Sequence, residues 1–138
     1  MAPVNRPVIE RKLAALQTFI KDLGHYAELD RIGRRREHYA IERLIQLLFE
    51  TAADIGLQIL QARQQDTLAG SYREVFEQLR RSAALPDEMS EQLISACGMR
   101  NVLTHLYDTI DLDRVIAAVD PALTLYRGYR DWTKNRLE

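Results

Sequence analysis

Apolar residues recur every three or four positions along most of this chain, and nowhere do they alternate for the length of a strand. From Val8 to about Glu28, residues Leu13, Leu16, Phe19, Ile20 and Leu23 fall on one helical face. The basic run "RIGRRREHY" follows. Gly33 interrupts it, and a long second helix is expected from Arg34 to about Arg63, a span without proline. Ser71, with Glu74 three positions on, matches a capping box for a third, shorter helix reaching about Ala84. Pro86, followed by Asp87 and Glu88, suits the first turn of a fourth helix that runs to about His105. Leu93, Ile94, Cys97 and Met99 supply its expected buried face. Asp111 and Asp113 stand where a fifth helix begins, carried on by Val115, Ile116, Val119, Leu123, Leu125, Tyr126 and Trp132. Pro121 is expected to bend that helix or to start a new segment. The pattern leaves open whether the tail "RDWTKNRLE" is helical. The architecture expected is an all-α, up-and-down bundle of about five helices in a single domain spanning residues 1–138.

The second helix carries too many apolar residues for one stripe. Ile41, Leu44, Ile45, Leu48, Ala52, Ile55 and Ile59 form one face, while Leu47, Ala53, Leu57 and Leu60 spread beyond it. A helix apolar on two sides must bury two sides, against other helices of the same core or against a second copy of the chain. Asp54, inside this apolar run, is expected at a polar edge or in an ion pair.

Composition narrows the class. At 138 residues, with 46% hydrophobic and 28% charged residues, the chain is long enough for one core and too apolar to be disordered. It has no apolar run of membrane-spanning length, and "MAPVNRPVIERK" lacks the apolar block of a secretory signal, so a cytoplasmic protein is expected. The lone Cys97 forms no internal disulfide and reads as a small buried helix residue. With a net charge of −1 the chain is no general magnet for nucleic acid. Its cations cluster locally at Arg31, Arg34, Arg35 and Arg36, and again at Arg80 and Arg81, as a solvated face or as phosphate contacts.

Candidate chemistry gathers at the end of the fourth helix, in "GMRNVLTHLYDTID". Arg100 and His105 are five positions apart, or about 140° around a continuous helix, a broad face rather than one ridge. Fraying of the last turn would bring them closer, and Tyr107 lies just beyond. One histidine with no second His or Cys at ligand spacing makes a poor zinc site, so no metal or cofactor is expected. A nucleophilic triad would need a Ser or Cys partner in place. The set does contain a group that exchanges protons near neutral pH, a permanent cation that grips phosphate with two prongs, and an orienting amide. These are parts for phosphodiester chemistry. The plain alternative is that Arg100, Asn101 and His105 cap helix carbonyls and complement the dipole. For His25 and His38 a surface or structural role is expected.

The order Arg100, Asn101, His105, Tyr107 reads R-N-x-x-x-H-x-Y, that is Arg-x4-His-x-Tyr, and resembles the signature of HEPN domains, specifically the HepT-like toxins of bacteria and archaea. The likeness extends to "YAIERLIQLLFETAADIGLQIL" as the family's long second helix and "SYREVFEQL" as its third. "RNVLTHLYDTIDLDRV" resembles the motif and the run into the last helix. The resemblance implies a HEPN-like bundle that dimerises so that both motifs line one cleft. It further implies a metal-independent endoribonuclease that leaves a 2′,3′-cyclic phosphate. Carried to this chain, His105 moves protons, Arg100 stabilises phosphorane charge and Asn101 holds the site in register. The attacking 2′-hydroxyl restricts cleavage to RNA, with no DNA substrate expected. The family's partner is a nucleotidyltransferase antitoxin that transfers AMP from ATP to the motif tyrosine, here Tyr107, so the tyrosine is a switch. Two other readings stay open: a non-catalytic, nucleotide-binding regulatory partner of such a transferase, and a purely structural helical adaptor.

Overall fold

A computed structural model describes residues 5–62, 71–105, 108 and 110–137, with the side chains of Ala62 and His105 left outside that description. Six helices run along the described chain: α1 Arg6–Ala27, α2 Arg31–Arg36, α3 His38–Ala62, α4 Tyr72–Ser82, α5 Asp87–His105 and α6 Leu112–Leu137. No strand occurs among the described residues. The all-α bundle is as expected, and the sixth helix comes from the basic run.

That run departs from the expected single helix for a local reason. The Asp30 carboxylate accepts from the Gly33 amide at 2.7 Å and so caps a separate helix that starts at Arg31. Gly33 therefore lies inside α2 rather than breaking it. A Cβ there would stand 3.1 Å from Leu29 Cβ and 3.2 Å from Asp30 Oδ1, so the absent side chain lets the cap close. The break falls at Glu37, and α3 starts at His38.

The other helices begin where their caps put them. Asn5 Oδ1 accepts from Val8 N at 3.4 Å, and Ser71 Oγ accepts from Glu74 N at 3.3 Å. Pro121 neither ends α6 nor opens a new segment; the helix runs through it to Leu137. The tail that the pattern left open is thus helical. It is pinned by Arg136, whose Nη1 donates to Ala83 O at 2.7 Å and whose guanidinium lies 5.3 Å over the Trp132 ring.

Helix α3 is the centre of the bundle, with α1, α4, α5 and α6 packed around it. Ile41, Leu44, Ile45, Leu48, Ala52, Ile55 and Ile59 are all buried, as are Ala53 and Leu60 from the second face. Leu47 and Leu57 stay half-buried. Helices of the same chain therefore absorb most of the two-sided apolarity. Asp54 at the edge pairs with Lys12 of α1 at 3.2 Å.

An aromatic series ties the layers together. Phe49 meets the Tyr72 and Phe76 rings edge-on at 5.3 and 5.6 Å, and Phe76 meets Tyr129 at 6.3 Å. The buried Tyr129 hydroxyl donates to Ala52 O at 2.8 Å. Burial drives its pKa far up, so it stays a neutral donor. Close approach here depends on Gly56, where a Cβ would sit 2.8 Å from Leu79 Cδ1 and 2.9 Å from Val75 Cγ1.

Two stability measurements test this packing. Gly56→Val overfills the α3–α4–α6 contact and should lower unfolding free energy by about 2 kcal/mol in urea titration. Ala84, in the α4–α5 link, has φ 57, the left-handed region that glycine occupies without strain. Ala84→Gly should raise stability by about 1 kcal/mol in the same assay.

Candidate active site

Helix α5 brings the motif to one end of the bundle. Among the described side chains of this helix only Leu93 and Ser90 are fully buried; Ile94, Cys97 and Met99, expected inside, are half-buried against the core. The helix lies on the surface of α3 rather than within the core. Two contacts set its register: Arg100 meets Glu50, and four residues on, Thr104 meets Gln46, four residues back along α3. The two helices therefore run antiparallel, and α5 ends at His105 beside the turn of α3 that carries Gln46.

Arg100 is held on two sides. Its Nη2 donates to Glu50 Oε1 at 3.4 Å, and its guanidinium carbon stands 5.1 Å from the centre of the Tyr72 ring. The side chain is only 19% exposed, and its Nε is buried without an acceptor among the described residues. Gln46 Nε2 donates to Glu50 Oε1 at 3.4 Å and to Thr104 Oγ1 at 3.1 Å. This polar strip is the seam between α3 and the motif helix. Arg100 also lines a cleft of about 560 Å³ between α3, α5 and α6, together with Phe49, Met99, Arg114, Val115 and Tyr126.

Of the other expected site residues, Asn101 is exposed on α5. His105 is the last residue of α5, and the helix stays regular up to it, so the backbone keeps the separation of about 140° from Arg100. The fraying that would have drawn the two together is not seen. Tyr107 lies outside the described residues. Among the described residues no group of three or more His, Cys, Asp or Glu side chains is placed to hold a metal ion.

The basic run acts mostly within the fold. Arg31 and Arg35 both bond Asp113 Oδ1, at 2.7 and 2.8 Å, which ties α2 to the start of α6. Arg34, 14% exposed, donates to Ala27 O at 2.6 Å and pairs with Asp120 at 3.2 Å. It caps the C-terminal carbonyls of α1. His38 bonds Glu42 and lies at a tilt against the Tyr39 ring, while His25 is exposed, in keeping with the surface or structural roles expected. No helix among the described residues is long and apolar enough to cross a membrane.

Gln46, Glu50 and Tyr72 were not singled out from the sequence. The available signal was a pair of polar residues one turn apart inside the apolar run "ERLIQLLFETAAD". A polar i, i+4 pair in a helix buried elsewhere marks where that helix meets something polar.

Comparison with known proteins follows the same outline. A family model described as Ribonuclease HepT-like matches residues 9–129. A relative from Aphanizomenon flos-aquae (strain 2012/KM1/D3), a tRNA nuclease HepT, is 28% identical over 132 residues, 94% of this chain and 89% of the relative. Among solved structures, a cytosolic protein of unknown function from Bacillus subtilis, YutE, superposes with a TM-score of 0.82 at 20% identity, covering 100% of this chain and 94% of that one. A toxin–antitoxin crystal structure with AMP-PNP gives 0.79 at 22% identity, covering 94% and 98%. A tri-AMPylated Shewanella oneidensis HEPN toxin, in complex with its MNT antitoxin, gives 0.77 at 22% identity, covering 93% and 97%. At these identities the superpositions bear on the fold.

Cys97 offers a check on how this helix sits. Burial raises its thiol pKa, and Arg73 and Arg100 only partly offset that, so less thiolate is present at a given pH. Alkylation by iodoacetamide at pH 8 should be several-fold slower in the folded protein than in urea.

Proposed function

This chain belongs to the HepT-like ribonuclease family, and from that premise we propose that it is the toxin of a HEPN/nucleotidyltransferase toxin–antitoxin pair, acting as a metal-independent endoribonuclease. The observation that carries the reading is the sequence order Arg100, Asn101, His105, Tyr107, with Arg100 on α5 lining a cleft. A relative named as a tRNA nuclease supports RNA as the substrate class.

The reaction needs only parts that such a motif contains. The 2′-hydroxyl oxygen of one nucleotide attacks the adjacent phosphorus as its proton is taken up, with His105 as the group that moves protons. The P–O2′ bond forms, the P–O5′ bond breaks, and the departing 5′-oxygen receives a proton. The products are a 2′,3′-cyclic phosphate and a 5′-hydroxyl. Arg100 stabilises the extra negative charge on the phosphorane, and Asn101 keeps phosphate and imidazole in register. No metal and no cofactor enter the scheme.

One copy leaves Arg100 and His105 diverging around α5, and a homodimer whose two motifs face one cleft would place the groups of both copies around a single phosphate. Silencing works at the same place. The partner antitoxin transfers AMP from ATP to the Tyr107 oxygen with loss of pyrophosphate. The added anion fills the space beside Arg100 and repels RNA. Tyr107 is the modified residue and carries no catalytic role. Solved toxin–antitoxin complexes of similar fold, one of them AMPylated, support the pairing.

Purified, unmodified protein should cut total RNA in the presence of a chelator, and His105→Ala prepared identically should be at least about 100-fold slower, as expected for loss of a proton-transfer group. Equal cleavage by both proteins would remove His105 from the mechanism. No cleavage by either, with Tyr107 shown by mass spectrometry to be unmodified, would leave the nucleotide-binding regulatory partner as the better reading.

A further inference from the structure

We propose that Glu50 and Tyr72 are positioning residues that hold the Arg100 guanidinium in its working orientation, an inference that rests on the ribonuclease reading of Arg100. Two contacts from two different helices are enough to define a planar group. The Tyr72 ring, 5.1 Å from the guanidinium carbon, sets the plane. Glu50 Oε1, 3.4 Å from Nη2, sets the rotation within that plane. Each holder is itself held. Phe49 meets the Tyr72 ring edge-on at 5.3 Å, and Gln46 donates to the same Glu50 oxygen at 3.4 Å. The Nε atom is buried as well, so the inner end of the guanidinium is enclosed and the clamp acts on its outer end.

The charge of Glu50 separates positioning from simple anion attraction. A carboxylate beside Arg100 cancels part of the field that draws in phosphate and repels the RNA backbone. A site shaped for affinity alone gains nothing from it. Its benefit is geometric: a pre-set guanidinium meets the transition state without reorganising. Glu50→Ala should therefore lower kcat while leaving KM unchanged or lower, a split that loss of general stability does not produce. Glu50→Gln keeps an acceptor oxygen in place and should retain most of kcat. Tyr72→Phe keeps the ring face and should cut normally, whereas Tyr72→Leu removes it and should fall with Glu50→Ala.

The test combines cleavage kinetics on one defined RNA with nitrogen-15 NMR of the Arg100 Nε–H group, assigned by its disappearance in Arg100→Lys. Expected are a drop in kcat of about tenfold or more in Glu50→Ala and Tyr72→Leu, near-normal values in Glu50→Gln and Tyr72→Phe, and melting temperatures that do not follow that order. The Nε–H signal should exchange slowly with solvent in the wild type and broaden or vanish in the two damaging variants. Unchanged kcat in Glu50→Ala and Tyr72→Leu would overturn the proposal. So would losses that follow the melting temperature and are not restored by the conservative variants. If the wild type and His105→Ala are equally inert on RNA, the ribonuclease reading has failed. The clamp is then judged by NMR, and an Nε–H signal identical in all variants would overturn it as well.

Discussion

Everything in this bundle follows from the need to bury α3. A helix of 25 residues that is apolar on two sides cannot rest on one neighbour, and here α1, α4, α5 and α6 surround it. What remains uncovered or polar along it is a narrow strip, and Gln46 and Glu50 occupy that strip. The motif helix docks there because its own inner face is too weakly apolar to compete for the core. Among its described side chains Leu93 and Ser90 alone are fully enclosed, and Thr104 and Arg100 complete the seam with hydrogen bonds and an ion pair. The chemistry-bearing helix is thus attached by polar contacts to a rigid hydrophobic scaffold, which leaves it at the surface with its geometry set.

The second organising constraint is close approach around Gly56. Helix α4 comes near enough to α3 that a single Cβ would collide with Leu79 and Val75, and the Tyr129 hydroxyl of α6 would stand 3.3 Å from it. That approach brings Phe76 and Tyr129 into edge contact and carries Tyr72, at the start of α4, to Phe49 and on to Arg100. Packing in the core and the orientation of a surface guanidinium are therefore one continuous set of contacts. The same economy governs Arg31, Arg34 and Arg35 of the basic run, which fasten α1, α2 and α6 through Asp113, Asp120 and the Ala27 carbonyl. These three arginines, clustered in sequence, fasten helix to helix, and the cation facing the cleft from the motif is Arg100.

Local signals in the sequence set most of the helices, because periodicity and capping act within a few residues. The apolar faces of α1 and α3, the Ser71 cap, the acidic first turn of α5 and the helical run after Asp113 were all legible that way. So was the motif order from Arg100 to Tyr107, and with it the family. Where the reading missed, two local effects competed. Gly33 reads as a break in sequence, but the Asp30 cap makes it the inside of a helix, and Pro121 starts no new segment because α6 runs on through it. Tertiary structure alone decided which helices share the two faces of α3, that the helical tail is tied through Arg136 to Ala83, and that Gln46, Glu50 and Tyr72 converge on the motif. The physical reason is distance along the chain. Periodicity and caps are properties of neighbours in sequence, whereas Arg100 meets residues 50 and 28 positions away, and such meetings exist only once helices have packed.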